Sequence, residues 1–152
     1  MFAGTILDTW TTWVDASRHY GFEQNPTLAP LIRHSLIWIP IYLLCRPVLV
    51  PLLPEICRFG FGVYFGFAGL VFGANNLAGI FYGRYFLIEA LGFPVLQATC
   101  VLFAIIVFIW KLSRQVSNAQ KRKEHIITAL RWIGIFVLLE LGFFAAGRSL
   151  FS

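Results

Sequence analysis

Two stretches of this chain are long enough to cross a lipid bilayer and contain no charged residue. They cover residues 59–82 and 93–110. The hydrocarbon core of a bilayer needs about 20 consecutive apolar residues in a helix. A third stretch, 126–147, has only Arg131 and Glu140 as charged residues. These runs predict an all-α, polytopic transmembrane helical bundle.

The composition agrees with this class of protein. Of the 152 residues, 59% are hydrophobic and 12% are charged, and the mean hydropathy is +0.76. In a soluble domain about 25% of the residues are charged. A soluble core of this length would leave large apolar patches in water. We therefore expect the lipid bilayer to surround most of the chain.

Two further segments bring the expected number of spans to five. One segment contains Pro30, Pro40, Pro47 and Pro51, so it predicts a kinked helix or one with locally opened hydrogen bonds. The other, at the N-terminus, is the least hydrophobic. The expected spans, within a single membrane-embedded domain, are 2–20, 28–53, 58–83, 93–112 and 126–147.

The N-terminal segment carries its polar residues on one side. Asp8, Thr12, Asp15 and His19 are spaced so that they share one face of an α-helix. Helices that lie flat on a membrane usually carry Lys and Arg on the polar face, whereas this face carries acids. We favour a spanning helix with the acidic face turned inward. The alternative is an interfacial helix, which leaves four spans.

The third span has a stripe of small residues. Gly62, Gly66, Gly69 and Gly73 recur at three- and four-residue spacing. Small residues at this spacing let helix backbones approach closely, and such packing holds helices together in lipid. The stripe predicts that this helix lies at the centre of the bundle. The alternative is that the glycines are merely tolerated there.

The basic residues indicate the orientation in the membrane. The net charge is +5, and Lys111, Arg114, Lys121, Arg122 and Lys123 lie together between two apolar spans. Loops rich in Lys and Arg stay on the cytoplasmic side. We expect the loop 111–123 to be cytoplasmic. Nucleic acid is not an expected partner, because its recognition needs basic residues on a soluble face.

The sequence contains none of the strong catalytic motifs, and it indicates no particular cofactor or metal. The remaining candidates are polar residues inside the spans, which are costly in lipid and therefore informative. At about 1.5 Å of rise per residue, Asp8 and Arg46 lie at similar depths, about 9 and 10 Å from the cytoplasmic side. They are predicted to form a structural ion pair.

A second set of polar residues lies further out. Asp15 and Glu140 are about 20 Å from the cytoplasmic side, and Asn75 and Asn76 are about 26 Å from it. Carboxylates and amides suit a hard cation or a polar head group. The alternative is a hydrogen-bond network that fixes helix register. The candidate ligand- or cation-binding residues are Asp15, His19, Glu23, Asn25, Asn75, Asn76 and Glu140.

The N-terminal sequence L-D-T-W-T-T, followed by G-F-E-Q-N-P, resembles a family of small, uncharacterised prokaryotic membrane proteins. The matching residues are Asp8, Thr11, Thr12, Glu23, Asn25 and Pro26. The resemblance implies a prokaryotic cytoplasmic (inner) membrane and carries over no activity. A helix start explains Asn25 as a cap and Pro26 in the first turn. It does not explain Glu23.

Three functions fit these features. The favoured one is a non-catalytic accessory or assembly subunit, with other membrane protein subunits as partners. The second is a small transporter that binds a cation or proton at the acidic and amide cluster. The third is a membrane enzyme that modifies lipid with Asp15, His19 and Glu23.

Overall fold

A computed structural model describes residues 2–18, 25, 27–33 and 35–149, without the side chains of residues 46 and 146–149. The regular elements in these ranges are all helical. They are α1 (Phe2–Arg18), α2 (Ala29–Ile32), α3 (Trp38–Leu49), a 3₁₀ turn (Val50–Leu52), α4 (Glu55–Tyr82), α5 (Phe86–Leu91), α6 (Phe93–Gln115) and α7 (Ala119–Ser149).

Three helices are long and apolar enough to cross a membrane. They are α4, α6 and the part of α7 over Ala119–Ala145. The chain is therefore an all-helical protein of the membrane type. The other two expected spans correspond to shorter helices, since α1 has 17 residues and α3 has 12.

The proline-rich segment differs from the single kinked helix expected over 28–53. It is divided into α2, α3 and the 3₁₀ turn. Pro30 and Pro51 lie in the first turns of α2 and of the 3₁₀ turn, where the missing N–H is harmless. Pro40 lies in the first turn of α3, and Pro47 lies inside that helix. Three of the four prolines therefore lie in the first turn of an element, and α3 is left about 18 Å long.

Helices α1 and α4 form a parallel, closely packed seam. Gly4 lies directly against the carbonyl of Gly66, and Gly69 lies against the backbone of Gly4. Further along, a Cβ atom on Gly73 would lie 3.1 Å from the backbone nitrogen of Asp8. Along the seam, the residue numbers of the contacting pairs rise on both helices, so the two helices run in the same direction. Gly66, Gly69 and Gly73 of the glycine stripe lie in this seam.

Helices α6 and α7 pack differently. Each contacts α4, but they touch each other little. Much of their surface is exposed apolar side chain, such as Leu102 and Leu138. Apolar residues cluster at the end where α6 ends and α7 begins. They are Val50, Leu53, Ile56, Cys57, Phe65, Leu112 and Ala129.

The basic segment is mostly helix, in contrast to the expected loop 111–123. Helix α6 continues to Gln115 and α7 begins at Ala119. Lys111 lies in the last turns of α6, and its Nζ atom is 3.6 Å from the centre of the Phe59 ring. Cations at a helix C-terminus and over an aromatic face are both favourable. The side of the membrane on which this end lies stays a prediction.

Candidate functional site

The polar centre of the α1 and α4 seam is Asn76. Its Nδ2 atom donates to Thr12 Oγ1 at 2.9 Å and to Asp8 Oδ1 at 3.3 Å. Thr12 in turn donates to Asp8 Oδ1 at 3.4 Å. Polar side chains in lipid turn toward one another, because hydrocarbon offers them no partner. The three residues therefore fix the register of α1 on α4.

A polar cavity of about 90 Å³ lies beside this network. At about 30 Å³ per water molecule, it has room for roughly three waters. Helices α1, α3, α4 and α6 form its walls, and Ile88 of α5 lies at its edge. The polar residues that line it are Thr5, Asp8, Thr12, Asn25, Tyr42, Tyr64, Asn76 and Gln97.

Two amide oxygens in this cavity are open for hydrogen bonding. The Nδ2 atom of Asn76 donates to Asp8 and Thr12, whereas no described residue donates to its Oδ1 atom. Gln97 Nε2 donates to the hydroxyl of Tyr64 at 3.2 Å, and its oxygen accepts nothing from the described part of the chain. The cavity therefore offers two acceptors to a molecule inside it.

A second network reaches the cavity from α3 and α7. The Tyr42 hydroxyl donates to Glu140 Oε2 at 2.8 Å and accepts from Asn25 Nδ2 at 3.4 Å. Asn25 Oδ1 accepts from the backbone N–H groups of Thr27 and Leu28 at 2.9 and 3.3 Å. This is an Asx turn just before α2, and it holds Asn25 in place.

Asp15 lies elsewhere, where α1 meets the corner between α4 and α5. It is buried, and its Oδ2 atom accepts from the Tyr85 hydroxyl at 2.6 Å. Gly79 makes room for this contact, because a Cβ atom there would lie 2.7 Å from Cζ of the Tyr85 ring. Asp15 thus anchors the corner to α1.

Asn75 holds the same corner from α4. Its Oδ1 atom accepts from the backbone nitrogens of Leu87 and Ile88 at 3.0 and 3.3 Å. These N–H groups belong to the first turn of α5, where a helix has no backbone partner for them. The Nδ2 atom of Asn75 is buried and has no partner within the described residues. Asn75 therefore caps α5.

The predicted site residues are thus divided between two places. Asn25 and Asn76 line one cavity, and Glu140 is joined to it through Tyr42. Asp15 and Asn75 hold the α5 corner. The convergence of all of them on one ligand stays a prediction.

Three further predicted residues cannot be placed. His19 and Glu23 lie outside the described residues, and so does the side chain of Arg46. The ion pair of Asp8 with Arg46 therefore stays a prediction. Asp8 itself lies in the cavity wall next to Asn76.

Several residues of the site are absent from the sequence-based candidates. Tyr42, Tyr64, Tyr85 and Gln97 all make side-chain hydrogen bonds inside the bundle. A buried tyrosine hydroxyl usually finds a partner, and Gln97 interrupts a charge-free span. The tyrosine hydroxyl groups and the position of Gln97 are therefore the sequence features that point to these residues. Gly4, the partner of the α4 glycines, is a lone glycine on α1 with no stripe to mark it.

An apolar groove of about 290 Å³ adjoins the polar cavity. Helix α4 forms its floor, and α6 and α7 form its sides. Tyr64, Phe65 and Gln97 line both spaces. Glu140 lies on the wall of the groove at the same end. No group of three or more His, Cys, Asp or Glu side chains suited to a metal is found in the described ranges.

The chain matches no protein-family model, no curated protein and no solved structure. The resemblance carried by Asp8, Thr11, Thr12, Glu23, Asn25 and Pro26 is therefore untested.

Proposed function

We propose that this protein is a five-span membrane protein that binds a small polar ligand in the cavity beside Asn76. The observation that carries the proposal is the cavity itself. It lies inside the helical bundle, and two amide oxygens on its wall have no donor from the described chain. Both residues are half-buried, so a ligand or a water molecule in the cavity can donate to these oxygens.

The packing of α1 supports a spanning role for this helix. Helix α1 runs parallel to α4 and contacts it from Gly66 to Asn76. Helix α4 is the longest apolar helix in the first half of the chain. A helix lying flat on the membrane would cross α4 at one point. Thr12 and Asp15 are buried, which supports a helix whose acidic face is turned inward.

The arrangement favours a binding site over a purely structural network. A structural network needs its members to satisfy one another, as Asp8, Thr12 and Asn76 Nδ2 do. Asn76 and Gln97 instead line the cavity with amide oxygens that accept no hydrogen bond from the described residues.

An accessory subunit, the function favoured by sequence, is the second candidate. Helix α7 supports it, because almost none of its apolar surface is buried within the chain. Mild solubilisation of native membranes, followed by size analysis, tests this candidate. It predicts a complex larger than the lone chain, whereas a stable monomer that still binds ligand would contradict it.

The cavity can be tested with cysteine variants and a small, cationic, membrane-impermeant thiosulfonate. We expect Thr12→Cys to react in intact vesicles, because Thr12 lines the cavity. Thr9→Cys is the matched control, since Thr9 is on the same helix and does not line it. Peptide mass spectrometry of α1 reads out the reaction without interference, because α1 contains no native cysteine. An inert thiol at both positions would contradict the proposal.

A further inference from the structure

We infer that the ligand is a single-chain lipid with a hydroxyl-bearing, uncharged head group. Its head would occupy the polar cavity, and its acyl chain would lie in the groove between α6 and α7. This inference rests on the proposed ligand site and names the chemical class of the ligand.

The first argument is that the two spaces adjoin. Tyr64, Phe65 and Gln97 line both the polar cavity and the apolar groove. A molecule that fills both must be polar at one end and apolar along the rest. A small polar solute would leave the groove empty, and a plain hydrocarbon would leave the amide oxygens unsatisfied.

The second argument is the shape and access of the groove. From Gln97 to Phe108 along α6 it is about 16 Å long at 1.5 Å per residue, which suits an extended chain. Apart from Tyr64, Gln97 and Glu140, its walls are apolar, and they include Phe61, Phe65 and Phe136. Val101 and Ile133 on its rims are 40% and 43% exposed, so the groove opens sideways toward the bilayer.

The third argument concerns the head group. The polar cavity offers the open oxygens of Asn76 and Gln97 as acceptors and the Asn25 amide and Tyr64 hydroxyl as polar neighbours. A hydroxyl group both donates and accepts, so it can meet both kinds of partner. The volume of about 90 Å³ restricts the head to a few heavy atoms. A glycerol head fits these conditions.

The probe for the test is monomyristoylglycerol with a diazirine in its acyl chain, added to the purified full-length protein in detergent. We expect photolabelling on α6 and α7 peptides that line the groove, with competition by unlabelled monomyristoylglycerol. Ala104→Phe fills the groove, because Ala104 lies on its wall. It should lower labelling by about tenfold, which corresponds to about 1.4 kcal/mol. The matched control is Ala98→Phe, at an exposed position on the same helix.

The head group is tested with Gln97→Met, which keeps the length of the side chain and removes the amide. We expect a smaller loss of labelling, about fivefold. Gln115→Met, at the exposed end of α6, is the control. Unfolding temperatures of all four variants separate loss of binding from loss of fold.

The outcomes distinguish this inference from the proposed function. Labelling spread over the outer faces of α6 and α7, and unchanged by Ala104→Phe, overturns the lipid assignment. The proposed polar site would still stand if the Thr12→Cys thiol reacts. Groove labelling that depends on Ala104 but not on Gln97 would overturn the placement of the head group.

Discussion

The helices in the two halves of this bundle are joined by different kinds of interaction. The seam of α1 and α4 is rich in glycine and polar residues, with Asn76 bonded to Thr12 and Asp8. The contact between α6 and α7 is slight, and their membrane-length stretches consist mainly of apolar residues. The helices with the more hydrophobic membrane-length stretches are thus the less tightly packed ones.

This difference follows from the solvent. Lipid tails are as apolar as Leu, so burying Leu between helices gains little from the hydrophobic effect. Close backbone approach and interhelical hydrogen bonds give specific contacts instead. The seam therefore defines the fold, whereas the loose contact between α6 and α7 leaves the groove that the proposed lipid would fill.

The seam should be broken most severely by Gly69→Leu. A Cβ atom alone would lie 2.6 Å from the backbone nitrogen of Thr5, and that backbone cannot move without separating the helices. We expect the free energy of unfolding to fall by more than about 3 kcal/mol, the upper end for overpacking. Denaturation in detergent, followed by circular dichroism, measures this change.

The control for that variant is Gly134→Leu on α7, where no atom lies within 4 Å of an added Cβ. We expect it to change stability by less than about 0.5 kcal/mol. Equal losses from both substitutions would mean that the two regions do not differ in packing.

The predicted pair of Asp8 and Arg46 would add an ionic contact to the seam. Asp8→Asn alone should lower the free energy of unfolding by about 2 kcal/mol, because it would leave a charge in the bilayer without its partner. With Arg46→Gln as the second change, we expect a coupling energy of about 1 kcal/mol. Additive losses would show that Asp8 and Arg46 are not paired.

The contrast between the two regions was only partly predictable. Charge-free runs located α4 and α6 closely, since they were expected at 58–83 and 93–112 and lie at 55–82 and 93–115. The glycine stripe located one side of the seam. The other side, at Gly4, depends on which helices are neighbours and how each is rotated, and neither follows from hydropathy.

The candidate site was also only partly predictable from the sequence. Depth along the bilayer placed Asn76 with Asp15, but depth does not fix which way a side chain points around its helix. In the structure Asn76 bonds to Asp8, which had been assigned to a different layer. Tyr42 and Tyr85 donate to Glu140 and Asp15, and no spacing pattern in the sequence marks their hydroxyl groups as donors.

A milder change at the end of the seam is Gly79→Ala. The added methyl would overlap the Tyr85 ring and displace its hydroxyl from Asp15. A hydrogen bond contributes about 1 kcal/mol, and we expect a loss of that order in the free energy of unfolding. Gly142→Ala on α7 meets no atom within 4 Å and should cost nothing. If Tyr85→Phe alone is neutral, the bond to Asp15 does not hold the corner.

The smallest expected effect is a pH dependence at α5, outside the apolar spans. The backbone N–H of Tyr85 donates to Glu89 at 2.8 Å, and Arg84 pairs with the same carboxylate at 2.9 Å. The Tyr85 N–H and then Arg84 lower the pKa of Glu89 below its usual value. A lowered pKa in the folded state means that the ionised form stabilises α5 above the ordinary Glu range, which is about 4.3. This contribution is lost as the pH falls through the folded pKa.

Hydrogen exchange of the α5 amides, corrected for intrinsic rates, should therefore show less protection at lower pH, while the amides of α1 and α4 keep theirs. Glu89→Gln should remove the pH dependence, because the side chain no longer titrates. A pH dependence that persists in this variant would assign the effect to another group. Equal changes at α5 and at the seam would mean that the corner and the seam open together rather than separately.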